Sequence, residues 1–324
     1  MTRGEGFYPI GVTSNIANKD LYTFSGIFDG NGKKIINLYI NLNSNDNKND
    51  FRIGLFGNNN GVIKKLEIKN CNINGSLDTN GNNTLIVGGI AGWSNGNIEE
   101  CCVSGNIKGE GKNNSKCRIG GIIGNLNGKV KNCYNKATIN AQGKWINCIG
   151  GISGITSDNS NIESCYNSGT VIFSSIEEEN DKEVQSLDAI GGIVGYSNEN
   201  TEINNIYNFG NIKLSNGNGD EMDIGGIAGY SLNNKMENVC NVGEVETSEK
   251  SNIGGIAGTN YGKNGTITKA YYLNKTINGI GKSEQKDNTE KIEKNEDMPN
   301  VIEIIGNAFK FDSKNSTYPI LNWQ

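Results

Sequence analysis

The chain has 324 residues, among them 45 Gly, 3 Pro and no His, and its 30 basic and 35 acidic side chains give a net charge of −5. The absence of histidine excludes imidazole zinc sites, Ser-His-Asp and Cys-His nucleophile systems and any imidazole proton shuttle. A pI near 5.1 argues against a nucleic-acid partner. Apolar residues are only 35% of the chain, with no run near the ~20 residues that span a bilayer. Such a chain is either partly disordered or builds a thin core repeatedly.

Residues 1–23, with Phe7-Tyr8-Pro9-Ile10-Gly11, are predicted to form an N-terminal cap. Met1 to Gly6 carries no apolar signal segment, so export is expected to be directed from outside this chain. From residue 24 to 281 one phrase recurs: Ile-Gly-Leu-Phe-Gly at 53–57, Val-Gly-Gly-Ile-Ala-Gly at 87–92, then Ile-Gly-Gly-Ile-x-Gly at 119–124, 149–154, 190–195, 224–229 and 253–258. The steps of 34, 32, 30, 41, 34 and 29 residues are unequal. A constant phrase at variable spacing means a fixed rung carrying variable loops, unlike a repeat whose length is set by packed helices.

A second phrase follows each first: Ile98-Glu-Glu-Cys101, Val130-Lys-Asn-Cys133, Ile162-Glu-Ser-Cys165, Ile203-Asn-Asn-Ile206, Met236-Glu-Asn-Val239 and Ile267-Thr-Lys-Ala270. A third apolar position comes next, at Ile107, Ile139, Val171, Ile212, Val245 and Ile277. Three short β-branched segments per repeat, with no helical period, predict an all-β right-handed parallel β-helix. Its seven or eight rungs of three short strands would stack ~4.8 Å apart. Residues 282–297 are charge-dense and read as a solvated loop or short helix. Apolar character returns over 298–311, so 282–324 is expected to be a charged segment followed by a C-terminal cap over the last rung.

Stacking gives each position a row of equivalents. Cys101, Cys133 and Cys165 share a row with Leu38, Leu66, Ile206, Val239 and Ala270, a core site in which the thiol acts as a small hydrophobe. Bridges between stacked cysteines remain geometrically open. Cys102 and Cys240 fall in a row with Tyr134, Tyr166, Tyr207 and Tyr271, and Asn135, Asn167, Asn208 and Asn241 form the next. Stacked Asn side chains suit a turn, where they bond their own main chain and each other.

These phrases, Gly-Gly-Ile-x-Gly followed by Ile-x-Asn-Cys-Tyr-Asn-x-Gly-x-Ile, resemble the GLUG repeat. So do the opening Phe24-Ser-Gly-Ile-Phe-Asp-Gly-Asn-Gly-Lys-Lys-Ile-Ile-Asn-Leu and the ending Tyr318-Pro-Ile-Leu-Asn-Trp323. The resemblance implies a parallel β-helix outside the cell, in a bacterial surface or secreted protein and as part of a larger chain. It extends to zinc metalloproteases of the immunoglobulin-A protease kind. Those require a His-Glu-x-x-His helix, which a chain without histidine lacks, so no catalytic residue carries over.

Three functions are compatible with such a rod: a non-catalytic stalk and adhesion surface, a carbohydrate-active β-helix enzyme, or a trimerising spike. Glycosidases of this shape place two or three carboxylates on neighbouring strands. Here Glu99, Glu100, Glu163 and Glu237 occupy or adjoin slots that hold Lys, Asn or Ser in other rungs, and arginine occurs only as Arg3, Arg52 and Arg118. That pattern suits a solvent face, so no catalytic residue and no metal or cofactor site is assigned. Past each glycine phrase stand Trp93, Tyr196 and Tyr230, which either offer aromatic faces to sugar rings or pack under neighbouring loops. The loops before the phrase carry Lys108, Lys112, Lys116, Arg118 and Lys144 beside Trp145 in early rungs. In later rungs they carry Glu177, Glu178, Glu179, Asp181 and Glu183, then Asp220, Glu221 and Asp223. That edge is either decoration for solubility or a polarised face for a partner or Ca²⁺. The expected partners are a host glycan or a matrix or surface protein, at an extracellular or cell-surface location, with neither nucleic acid nor a membrane span.

Overall fold

The computed structural model describes residues 4–11, 22–46, 49–176, 188–216, 222–246, 251–273, 277–293, 307–311 and 319–324. It is a β-solenoid. One sheet holds the strands that begin in the second half of each glycine phrase: Phe56–Asn59, Ala91–Ser94, Ile123–Leu126, Ser153–Thr156, Val194–Ser197, Ala228–Leu232, Ala257–Tyr261 and Ile280–Ser283. All pair in parallel and in register, each with its equivalent one turn away. Eight levels at ~4.8 Å make a stack of roughly 35 Å. The other segments of each turn join a second, continuous sheet that wraps the remaining sides.

The glycine phrase lies across a bend, so its first half ends one strand, a short one in Asp188–Gly191 and Met222–Gly225 and a long one in Cys102–Gly120 and Thr138–Gly150, before the next begins. Each turn thus carries this segment in addition to the three expected ones. A Cβ on Gly120 would lie 2.0 Å from the Ile123 carbonyl oxygen, so the chain can fold back on itself there only without a side chain. The second strand is also bent. One residue before each inward-facing Cys, Ile, Val or Ala the backbone turns left-handed: Glu100 (φ 50°), Asn132 (53°), Ser164 (53°), Asn205 (55°), Asn238 (56°) and Lys269 (49°). That turn lets Val130 and Cys133, three residues apart, both point into the core.

The core is a bundle of ladders. Ile40, Ile73, Ile107, Ile139, Val171, Ile212 and Val245 form one, aligned in parallel. Cys101, Cys133, Cys165, Ile206, Val239 and Ala270 form another, fully buried. Leu66 begins that row and faces Lys33 across the pair; Leu38 lies farther along, next to Tyr39, which faces Asn72, so it belongs to another row. All eight cysteines are free and buried. The thiols do more than fill space: Sγ of Cys101, Cys133 and Cys165 each donates to the carbonyl two residues back at 3.2 Å. The backbone N–H of Cys101 and of Cys133 in turn reaches the next thiol at 3.4 Å. They satisfy polar groups that the left-handed bend takes out of the regular ladder.

The two ends of the coil are covered differently. At the start, Glu5 and Phe7 pair with Tyr39 and Asn41, and Ile10 and Gly11 with Gly57 and Asn58, so residues 4–11 lie against the first turns. At the other end, the charged segment continues the coil: Ile280–Ser283 pairs with Ala257–Tyr261, and Glu290–Lys291 with Tyr271 and Tyr272. The last described residues do not sit on the final rung. Phe309–Lys310 and Ile320–Leu321 form a small antiparallel pair laid along the side of the rod. There Phe309, Leu321 and Ile292 cluster with the outward row of Tyr166, Tyr207, Cys240 and Tyr271. Those aromatic side chains face away from the core and need an apolar cover, which the C-terminal segment supplies. The intervening residues 294–306 lie outside the described residues.

Candidate functional site

The strand after the bend places one side chain per turn on the outer corner of the coil. The column reads Asn58, Trp93, Asn125, Ile155, Tyr196, Tyr230, Thr259 and Lys282. The strand before the bend supplies a second: Arg52, Ile86, Arg118, Cys148, Ala189, Asp223 and Asn252. Ile86, Cys148 and Ala189 lie outside the core cluster yet are buried. The two columns therefore close on each other over the bend and form a half-exposed seam running the length of the rod.

Trp93, Tyr196 and Tyr230 are all half-buried in this seam. Tyr196 and Tyr230 stack with centroids 4.9 Å apart and planes 7° apart, the geometry that one strand spacing imposes. Tyr261, which is exposed, adds a third ring 6.3 Å from Tyr230. Burial pushes the Tyr230 phenol up to about 12, with Tyr196 and Asp223 next in effect, so it stays neutral at physiological pH. At the other end of the seam the Arg52 guanidinium lies 4.4 Å from the Trp93 ring centroid and donates to Asn58 Oδ1. Arg118 Nη1 donates to Asn125 Oδ1 at 2.8 Å. Trp93 Nε1 donates at 3.0 Å to Asn95, itself in an exposed asparagine row with Asn60 and Asn127. Each ring packs over the seam and keeps part of its surface in water.

The remaining expected residues are placed differently. Trp145 lies opposite Lys116 where the pairing slips, away from the seam columns. Glu177, Glu178, Glu179, Asp181, Asp220 and Glu221 lie outside the described residues. Asp223 does not belong to an exposed acidic edge: it sits within the strand Met222–Gly225, is buried, and accepts from Asn252 Nδ2 at 2.9 Å and from Thr259 Oγ1. Arg118, read from sequence as a loop charge, is likewise in the seam. Each stands two residues before the paired glycines.

The carboxylates of the second strand fall in a column that alternates in charge: Asp29, Lys64, Glu99, Lys131, Glu163, Asn204, Glu237, Thr268. Lys64 pairs with Asp29 at 3.3 Å and Lys131 with Glu163 at 2.9 Å. No two carboxylates of this column occupy adjacent levels. Among the described residues no group of three or more His, Cys, Asp or Glu side chains is placed to hold a metal ion, and no helix is long and apolar enough to cross a membrane.

Comparison with known proteins agrees with this geometry. The GLUG motif is matched at residues 116–140, one passage through the seam strand, the bend and the second strand. Halomucin of Haloquadratum walsbyi is 34% identical over 111 residues, a match that spans 34% of this chain and 1% of halomucin. The crystal structure of an immunoglobulin A1 protease-like protein from Bacteroides ovatus superposes with a TM-score of 0.52 at 17% identity, covering 98% of this chain and 81% of that one. The latter likeness is one of fold.

Proposed function

We propose that this chain, whose turns are GLUG repeats, is a rigid extracellular module of a surface or secreted protein, a stalk that presents the seam as a non-catalytic binding surface for glycans. The observation that carries this reading is the seam itself: the Tyr196–Tyr230 stack held at one strand spacing, with Trp93 in the same column, on a frame whose every level is hydrogen-bonded to the next. A preorganised aromatic row binds a sugar chain without the entropic cost of ordering side chains. The alternation of Lys with Asp and Glu up the second strand, with ion pairs such as Lys131–Glu163, supports a solvated, charge-balanced face over a catalytic one. No cofactor is invoked, and Ca²⁺ on the acidic loops is not needed by this function.

A glycan and matrix-protein array tests it, with wild type beside Tyr196→Ala/Tyr230→Ala. Binding to a defined glycan class that the double substitution weakens supports the reading. An empty array, or reducing-end or unsaturated products released from pectin or alginate, overturns it, the second in favour of a carbohydrate-active enzyme. Solution mass separates the stalk, expected as a single protomer, from a trimeric spike.

A further inference from the structure

The protein has three arginines, and Arg52 and Arg118 stand in the same seam column, one turn before and one turn after the level of Trp93. Strand spacing separates them by ~9.6 Å along the axis. Each is half-buried and donates from Nη1 to the amide of a buried asparagine, Asn58 or Asn125. That contact uses one of the five donors of each fork and orients the rest. Among the described residues neither guanidinium forms a salt bridge, although the chain carries more acid than base. Beside Arg118, the buried Nδ2 of Asn125 has no hydrogen-bond partner among the described residues, an omission that folded proteins rarely leave. Each guanidinium thus keeps donors beyond its asparagine contact, and the carboxylate that acts on Arg52 is Asp50. The opposite end of the seam reverses the sign, with Asp223 in the same column and Asp158 and Glu199 acting on Tyr196.

We propose that Arg52 and Arg118, held on either side of Trp93, form a binding site for an anionic polysaccharide, two of whose acidic groups engage the two guanidiniums while the chain lies along the seam. This rests on the glycan-binding reading above and names the class of glycan. Carboxylate and sulfate offer the same chemistry to an arginine fork.

The test measures binding of the full chain to polygalacturonate, to its methyl ester, to heparin and to single-stranded DNA. The wild type is compared with Arg52→Gln/Arg118→Gln and with the charge-retaining Arg52→Lys/Arg118→Lys, and thermal melts verify that each variant is folded. The expected result is salt-sensitive binding to polygalacturonate or heparin, the preferred one identifying carboxylate or sulfate. The Gln pair should lower that affinity at least tenfold and the Lys pair less, while the neutral ester binds weakly. Equal binding of the ester, binding that survives the Gln pair, or equal binding of DNA overturns the proposal. Neutral glycans bound on the array with no anionic binding overturns this site but leaves the stalk-and-surface reading standing; no binding to any glycan overturns both.

Discussion

Gly121 lies against Asn135: a Cβ added to the glycine would come within 2.3 Å of the Asn135 Cγ. The relation repeats as Gly151 with Asn167, Gly192 with Asn208 and Gly226 with Asn241. The second glycine of each pair thus makes room for a buried amide that does three things. In the fourth turn, Asn167 accepts from Gly169 N, donates to Gly169 O and donates to Asn208 Oδ1 at 3.0 Å. Gly121→Ala must push into this ladder and into the Gly151 carbonyl, and is expected to cost about 3 kcal/mol. Asn167→Ala leaves buried backbone groups unpaired, at a similar cost of about 3 kcal/mol. Urea unfolding of both checks this, and a loss below about 1 kcal/mol in either would show that the ladder is not a structural requirement.

The bend in the second strand gives a prediction of opposite sign. Glu100 adopts φ 50° with an ordinary side chain, a conformation that costs L residues roughly 1–2 kcal/mol and Asn less. The equivalent levels use Asn132, Asn205 and Asn238. Glu100→Asn is therefore expected to raise stability by about 0.5–1 kcal/mol, read as a higher urea midpoint at unchanged slope.

Buried thiols make stability fall in alkali. Burial raises Cys71 and Cys102 from 9.0 to about 11 and Cys148 to about 12. The folded chain keeps these protons while the unfolded chain releases them, so the stabilisation is complete below pH 9 and is lost as pH climbs toward 11 to 12. Cys71→Ala should flatten the decline of the urea midpoint between pH 9 and 11, and an unchanged slope would contradict the assignment. Below pH 9 no native thiol should react with a thiol reagent before unfolding.

The C-terminal segment is a lateral brace. Trp323 packs 5.6 Å from Tyr134, Phe309 packs edge-on 6.4 Å from Tyr207, and Gln324 Nε2 donates to the Tyr166 hydroxyl at 2.9 Å. Leu321→Ala is expected to cost about 2–4 kcal/mol and to expose the tyrosine row, seen as dye binding to the folded protein. Removing the ion pair Lys131–Glu163 by Glu163→Gln, with both partners partly solvated, should change stability by no more than about 1 kcal/mol.

The stacked coil, the cysteine and asparagine rows and the tyrosine row were legible in the sequence because a ladder position tolerates only side chains of one kind, and seven copies expose that rule. Leu38 was assigned to the wrong row because Ile35-Ile-Asn-Leu38 mimics the second phrase, whereas the residue that faces Ile63 is Phe28 and Ile35 faces Ile68. Asp223 and Arg118 looked like loop charges because the segment before the bend, Met222–Gly225 or the end of Cys102–Gly120, mixes polar with apolar residues. Its pairing with the far side of the glycines exists only in three dimensions. The docking of Phe309 and Leu321 on the tyrosine row escaped the sequence for the same reason: a single apolar segment outside the repeat has no equivalent copy to fix its place.

Distances between nitroxide labels at Asn97 and, in turn, Glu202, Lys235 and Thr266 test the in-register coil most directly. These positions share one ladder, at the third, fourth and fifth turn from Asn97. The coil predicts separations that lengthen by about 4.8 Å per turn, near 14, 19 and 24 Å between backbones. Distances that jump irregularly, or shorten as turns are added, would contradict it.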